Sequence, residues 1–394
     1  MQQPTSAFAS VEKEKIFFPN LDGLRFFSFF IVFLYHTYLS FFNNVKDTSP
    51  EAFGVVGFLF RNGNLGVNFF FVLSGFLITY LLIKEKEIKG TIHVPNFYIR
   101  RILRIWPLFY LCVFIGFIIF PIIKKMSGGV PNEIADPIYY IFFANNFDFM
   151  HTWPTKPDAT ILSVLWSVAV EEQFYLTWPL ILKFVPYRFF KYVFAGIMLL
   201  SLVFRSFYTG LDDHDFGVRY FHTFSLIGDM AFGGLLAYFC SFDNSFKRFI
   251  GDLNKLQIAM IYLGAITVTL FHDELFTANA FTVVIERLVI AFFYGMIILE
   301  QSYARRSFFK MSNFKTISKL GIYTYGLYCL HLLGFLAADV ALTKAGLDKT
   351  SFTVAIIGSV AALIISIIIS LASYHFYEKW FLRLKDKFAF IVKK

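Results

Sequence analysis

The sequence predicts an all-α, polytopic integral membrane protein with about ten transmembrane helices and both termini in the cytoplasm. Three observations carry that prediction. Apolar stretches of about 20 residues recur along nearly the whole chain, and each is long enough to cross about 30 Å of hydrocarbon as a helix. Only 16% of the 394 residues are charged, against roughly 25% in a soluble globular domain. Lys and Arg also alternate in density between successive inter-helix segments, which is how topology is written into a membrane sequence.

Hydropathy, turn residues and charge boundaries place the spans near residues 22 to 42, 65 to 83, 105 to 123, 160 to 183, 192 to 208, 219 to 239, 256 to 271, 281 to 300, 320 to 338 and 352 to 378. The segments 1 to 21, 84 to 104, 183 to 192, 241 to 255, 301 to 319 and 379 to 394 hold 25 Lys and Arg. The opposite loops hold 7, and Arg25, Arg205, Arg219 and Arg287 fall inside spans. The richer side is expected to be cytoplasmic, because Lys and Arg in short loops are retained there. This gives a cytoplasmic N-terminal segment (1 to 21), one membrane domain (22 to 378) and a basic cytoplasmic tail (379 to 394).

The N-terminal segment lacks the basic start and apolar core of a cleaved signal, so an uncleaved first helix is expected. Ile134 to Phe147 is apolar but too short to span, and it predicts a re-entrant or interfacial segment on the outer side. No linker, internal repeat or appended soluble domain is read. A formal charge of +9 would suit nucleic acid if it formed one patch, but its dispersal leaves the bilayer as the partner. Cys112, Cys240 and Cys329 each sit in an apolar run without metal-ligand spacing, so no metal site is expected.

Ionisable groups within hydrocarbon cost about 2.5–3.5 kcal/mol apiece on insertion scales, so each calls for a reason. The first span begins LDGLRFFSFFIVFLYHTY, with Asp22 placed as an N-cap, Arg25 in the first turn and His36 eleven residues on. Eleven residues at 100° apiece close about three turns, so Arg25 and His36 share a face about 16 Å apart. Arg25 suits an anionic group at the cytoplasmic rim, or a plain positive-inside anchor. His36 suits a general base or acyl carrier, or a hydrogen-bonded core residue.

FYIRRILRIWPLFY puts Arg100, Arg101 and Arg104 before the third span, with Pro107 at a helix start. Planar guanidinium forks favour phosphate, as in a nucleotide diphosphate from the cytosol; anionic lipid is the simpler partner. LWSVAVEEQFYLTWPLI holds Glu171 and Glu172 near mid-membrane, pointing about 100° apart. One can face a cavity while the other pairs with a base, and His36 is the expected partner of a carboxylate there. Asn68, Ser74 and Gly75 in the second span read as close helix packing. His331, beside Tyr325 and Tyr328, reads equally as site or core, while His375 and Glu378 read as structural.

Taken in order, LDGLR followed by His36, GVNFFFVLSGFLI, FYIRRILRIWP, LWSVAVEEQFYLTWP and GIYTYGLYCLH resemble the membrane acyltransferase-3 family, which includes O-acetylases of bacterial surface polysaccharide and peptidoglycan. The resemblance implies a ten-helix domain in the plasma (inner) membrane that takes acyl-CoA from the cytoplasm. The acyl group would pass to a hydroxyl of a glycan or glycolipid acceptor. The family's Arg and His separated by ten residues fall on Arg25 and His36. Its Arg-x-x-Arg falls on Arg101 and Arg104, with Arg100 alongside, and its fourth-span acid on Glu171 or Glu172. Glu378 departs from the pattern, being followed by Lys379 and Trp380 where relatives carry a nearby Pro.

The expected mechanism has Arg25, Arg101 and Arg104 on the coenzyme phosphates and the pantetheine arm along the first helix to His36, which Glu172 or Glu171 orients. A proton-coupled transporter or flippase built on the same buried Glu and His is the rival reading, though no inverted repeat supports it. A membrane scaffold without catalysis is the third.

Overall fold

The computed structural model describes residues 18–277 and 279–388. The expected cytoplasmic segment up to residue 17 and the tail from 389 to 394 lie outside the described residues. Ten long helices run through the described chain: α1 Pro19–Ser40, α2 Gly66–Lys89, α3 Val94–Phe114, α4 Leu165–Phe184, α5 Phe190–Ser206, α6 Thr223–Phe242, α7 Lys255–Leu270, α8 Ala280–Tyr303, α9 Thr324–Lys344 and α10 Phe352–Ser373. No strand occurs among the described residues.

Eight of these helices are long and apolar enough to cross a bilayer, and α7 makes a ninth if it is joined to Asn244–Gly251, from which it bends by 91°. The tenth expected span, α4, forms a helix of 20 residues, the length a bilayer needs. Glu171, Glu172 and Gln173 at its centre lower its hydropathy. The chain is a multi-pass membrane protein.

Two elements differ from the sequence reading. α3 starts at Val94, well before Pro107, which lies inside the helix rather than at its start. Neighbouring helices take up backbone carbonyls around the interruption: Tyr325 donates to the Ile105 carbonyl at 2.8 Å and Tyr377 to that of Pro107 at 3.1 Å. Such donors are what make Pro tolerable within a membrane helix. A short apolar helix, Pro50–Phe60, also lies between the first two spans, where none was expected.

The segment from Ile134 folds as two short helices, Pro137–Ile141 and Asn145–Thr152. Neither can span. Gln173 of α4 ties them down, donating to the Phe143 carbonyl at 2.8 Å and to Asn146 at 2.9 Å.

The tightest crossing joins α2 to α6. A Cβ on Gly75 would lie 2.0 Å from the Met230 carbonyl oxygen, and one on Gly233 would lie 2.1 Å from that of Val72. The two backbones approach this closely because both contact positions lack a side chain. Gly233→Val is expected to cost about 1–3 kcal/mol through overpacking, read as a lower Tm of the purified protein.

Buried arginines elsewhere are neutralised locally. Arg205, 1% exposed, pairs with Glu286 and donates to the Val283 and Val284 carbonyls. Arg287 pairs with Asp229. His272, in the loop beyond α7, contacts Asp273 at 3.0 Å and Glu286 at 3.5 Å. Burial pushes its pKa down, but those two carboxylates outweigh burial and raise it to about 9.

The sign of the linkage follows. Stability from the His272 imidazolium is fully present below its ordinary value near 6.5 and is lost as pH rises through about 9. The Tm gap between the wild type and His272→Gln should therefore be widest at pH 6 and shrink by pH 10. A gap that is flat with pH would refute the charge assignment.

Candidate active site

The N-terminal ends of α1, α3 and α9 surround the mouth of a cavity of about 200 Å³. Arg25, Arg101 and Arg104 line it, as do Ser74 and Glu171 further in and Ser167 and Tyr328. Along α2 the lining runs from Leu81 to Val67, about 21 Å at 1.5 Å per residue. Along α1 it stops at Arg25.

That corrects the expected path along the first helix. Beyond Arg25, α1 turns Ser28, Phe29, Val32 and Phe33 into the core, which leaves α2 as the wall of the channel.

Each arginine is held differently. Arg25 pairs with Asp22 one turn earlier. Arg101 lies over the Tyr175 ring at 5.1 Å and the Phe97 ring at 5.4 Å, and its buried Nε has no hydrogen-bond partner. Aromatic faces fix a guanidinium without consuming its N–H donors, so Arg101 keeps them for an anion.

Arg100 does not join this group. It bonds Glu85 at 3.1 Å and the Phe388 carbonyl at 2.9 Å, because Glu85 is 2% exposed and a buried carboxylate demands a cation. Arg100, expected alongside Arg25, Arg101 and Arg104, thus turns to Glu85 and does not line the cavity.

The adjacent acids separate as their 100° offset requires. Glu171 faces the cavity, accepts from Ser74 at 2.7 Å and from Tyr175 at 3.3 Å, and feels the charges of Arg101 and Arg104. Glu172 turns toward α3, where Trp106 donates to Oε2 at 2.8 Å while the buried Oε1 has no partner.

Neither acid meets His36. Its partner is His331, Nδ1 to Nε2 at 3.1 Å, which corrects the expected carboxylate–imidazole pair. His331 of α9 is fully buried against α1, and Phe29, Phe33 and Phe335 pack around its ring.

The proton inventory of this pair can be assigned from its bonds. His331 Nδ1 lies 2.8 Å from the Tyr328 carbonyl, which can only accept, so Nδ1 carries the hydrogen. In the neutral ring Nε2 must then accept from His36 Nδ1–H. His36 is left with its lone pair on Nε2, the form a general base requires.

Tyr328 completes the link to the cavity, its hydroxyl 2.7 Å from that of Ser167. Sequence reasoning missed the bond between two histidines 295 residues apart and the Ser74–Glu171 bond. The available signal was a second lone histidine inside a span. Among other ligand-type groups of the described residues, Asp212, His214 and Asp215 converge at the start of the helix Asp213–Phe221, which Asp212 already caps.

Fold and site together define a multi-pass membrane protein with a polar, arginine-mouthed site inside its helix bundle. Residues 18–371 match the acyltransferase-3 family, described as an acyltransferase domain, and the chain belongs to that family. It is similar to the O-acetyltransferase OatA of Staphylococcus aureus strain NCTC 8325 / PS 47, 28% identical over 352 residues, covering 83% of this chain and 52% of the relative. OatA of strain COL matches to the same extent. The chain thus spans about half the length of the curated relatives it matches. No solved structure matches it.

Proposed function

We propose that the protein moves an acetyl or other small acyl group from acyl-CoA to a hydroxyl of a cell-envelope glycan or lipid-linked saccharide. The observation that carries this reading is the His36–His331 pair set beyond the inner end of a cavity whose mouth is ringed by Arg25, Arg101 and Arg104. Lys and Arg dominate the segments on that side, which favours a cytoplasmic mouth and cytoplasmic termini. An anionic donor with a long thin arm suits such a channel.

In the direct route, His36 Nε2 takes the proton of the acceptor hydroxyl while its oxygen attacks the thioester carbonyl. The ester C–O bond forms, the C–S bond breaks, and the thiolate leaves with the proton that His36 held. In the alternative route His36 Nε2 attacks the thioester carbonyl, the C–N bond forming as the C–S bond breaks and the thiolate leaves; the acceptor oxygen then attacks the acyl carbon, the C–N bond breaks, and the hydroxyl proton taken up by Nε2 passes to the thiolate. His331 positions His36 in both, and Glu171 with Ser74 lies along the arm.

Membranes carrying the protein are expected to transfer label from [14C]acetyl-CoA into base-labile esters of the glycan fraction. No coenzyme A binding by the purified protein would sink the proposal.

A further inference from the structure

We propose that a four-ring aromatic shelf near His36, outside the donor cavity, is the binding site for the saccharide ring of the acceptor. The shelf comes from three separate parts of the chain. Phe216 and Tyr220, one turn apart on Asp213–Phe221, stack at 5.4 Å and 11°. Trp153 covers Phe216 at 5.1 Å, and Trp166 meets Tyr220 at 5.2 Å. None of the four lines the donor cavity.

The shelf adjoins the histidine. Asn64 donates to the Tyr220 hydroxyl at 3.2 Å. The loop carrying Asn64 lies directly on α1, since a Cβ on Gly63 would meet the Ile31 carbonyl at 2.4 Å and Tyr35 Cβ at 3.0 Å. Tyr35 and Tyr220 are near enough to influence each other electrostatically, and the Tyr35 ring lies 5.3 Å from that of His36. The exposed Lys156, three residues beyond Trp153, places its charge within range of His36.

The chemistry of these groups selects the guest. Aromatic faces take the C–H face of a pyranose. Donors at the ring edge then take its hydroxyls, and Trp153 Nε1 is a buried donor with no protein partner. A lipid tail would have no use for that N–H, for Asn64 or for Lys156. A saccharide seat outside the donor cavity gives the two substrates separate approaches to one imidazole, and in naming the acceptor's seat this inference rests on the acyl-transfer reading.

The test is calorimetric titration of the purified full-length chain in lipid nanodiscs with chitotetraose and with maltotetraose, without donor. At least one oligosaccharide should bind the wild type, that binding should persist in excess coenzyme A, and Trp153→Ala with Phe216→Ala should weaken it at least tenfold. In the wild type, the bound oligosaccharide should also shield Trp153 from N-bromosuccinimide, scored by peptide mass spectrometry, a readout that needs no variant to fold. The proposal is overturned if neither oligosaccharide binds, if the variant binds as the wild type does, if coenzyme A expels the sugar, or if Trp153 stays reactive. Failure of coenzyme A to bind would instead count against the transferase reading, and the sugar titration would still judge the shelf.

Discussion

His36→Ala should lower acyl transfer by about 10²- to 10⁴-fold, the range spanned by loss of a general base, while the protein still elutes as a folded species and still binds donor. His36 is the half-buried member of the pair, and the bond from its Nδ1 to His331 commits its Nε2 to the reacting side. His331→Ala keeps that nitrogen but frees the ring to rotate, so a smaller loss, about 10- to 100-fold by analogy with other orienting residues, is expected. Measuring kcat for both variants beside coenzyme A affinity separates base from support. A folded His36→Ala protein with wild-type transfer would refute the central assignment, and equal losses would make the histidines one functional unit.

Arg101→Ala and Arg104→Ala should each weaken acetyl-CoA binding by roughly 10- to 150-fold, because a lost hydrogen bond to a charged group is worth about 1.5–3 kcal/mol. Arg101 should show the larger effect, since its rings at Tyr175 and Phe97 already hold it in position. Arg100→Ala provides the contrast. It should leave donor affinity within about twofold and lower Tm instead, because Glu85 would remain buried without its cation. Equilibrium binding and thermal unfolding of the three variants decide the matter; a donor defect in Arg100→Ala alone would reverse the assignment.

How far the site was legible depended on the range of each interaction. Helical periodicity could show that Glu171 and Glu172 diverge, since that angle is local. It could not say which faced the cavity, because the answer lies in Ser74 on α2 and Trp106 on α3. Arg100, Arg101 and Arg104 read as one cluster along the chain. In space Arg100 was claimed by Glu85, fifteen residues away and buried. Ser74 and Gly75 read together as packing, yet only Gly75 serves the helix crossing, while Ser74 bonds an acid.

The sequence by itself determined that this chain lives in a bilayer, roughly where its spans lie, and which residues could bear chemistry. Each of those depends on local hydropathy or on the cost of placing a charge in hydrocarbon, and both are properties of short segments. Only the tertiary structure decided that His36 faces His331 rather than a carboxylate, that α2 rather than α1 walls the channel, and that four rings from separate segments meet beside the histidine. Those outcomes are set by how helices cross and tilt, and crossing depends on contacts between residues far apart in the chain.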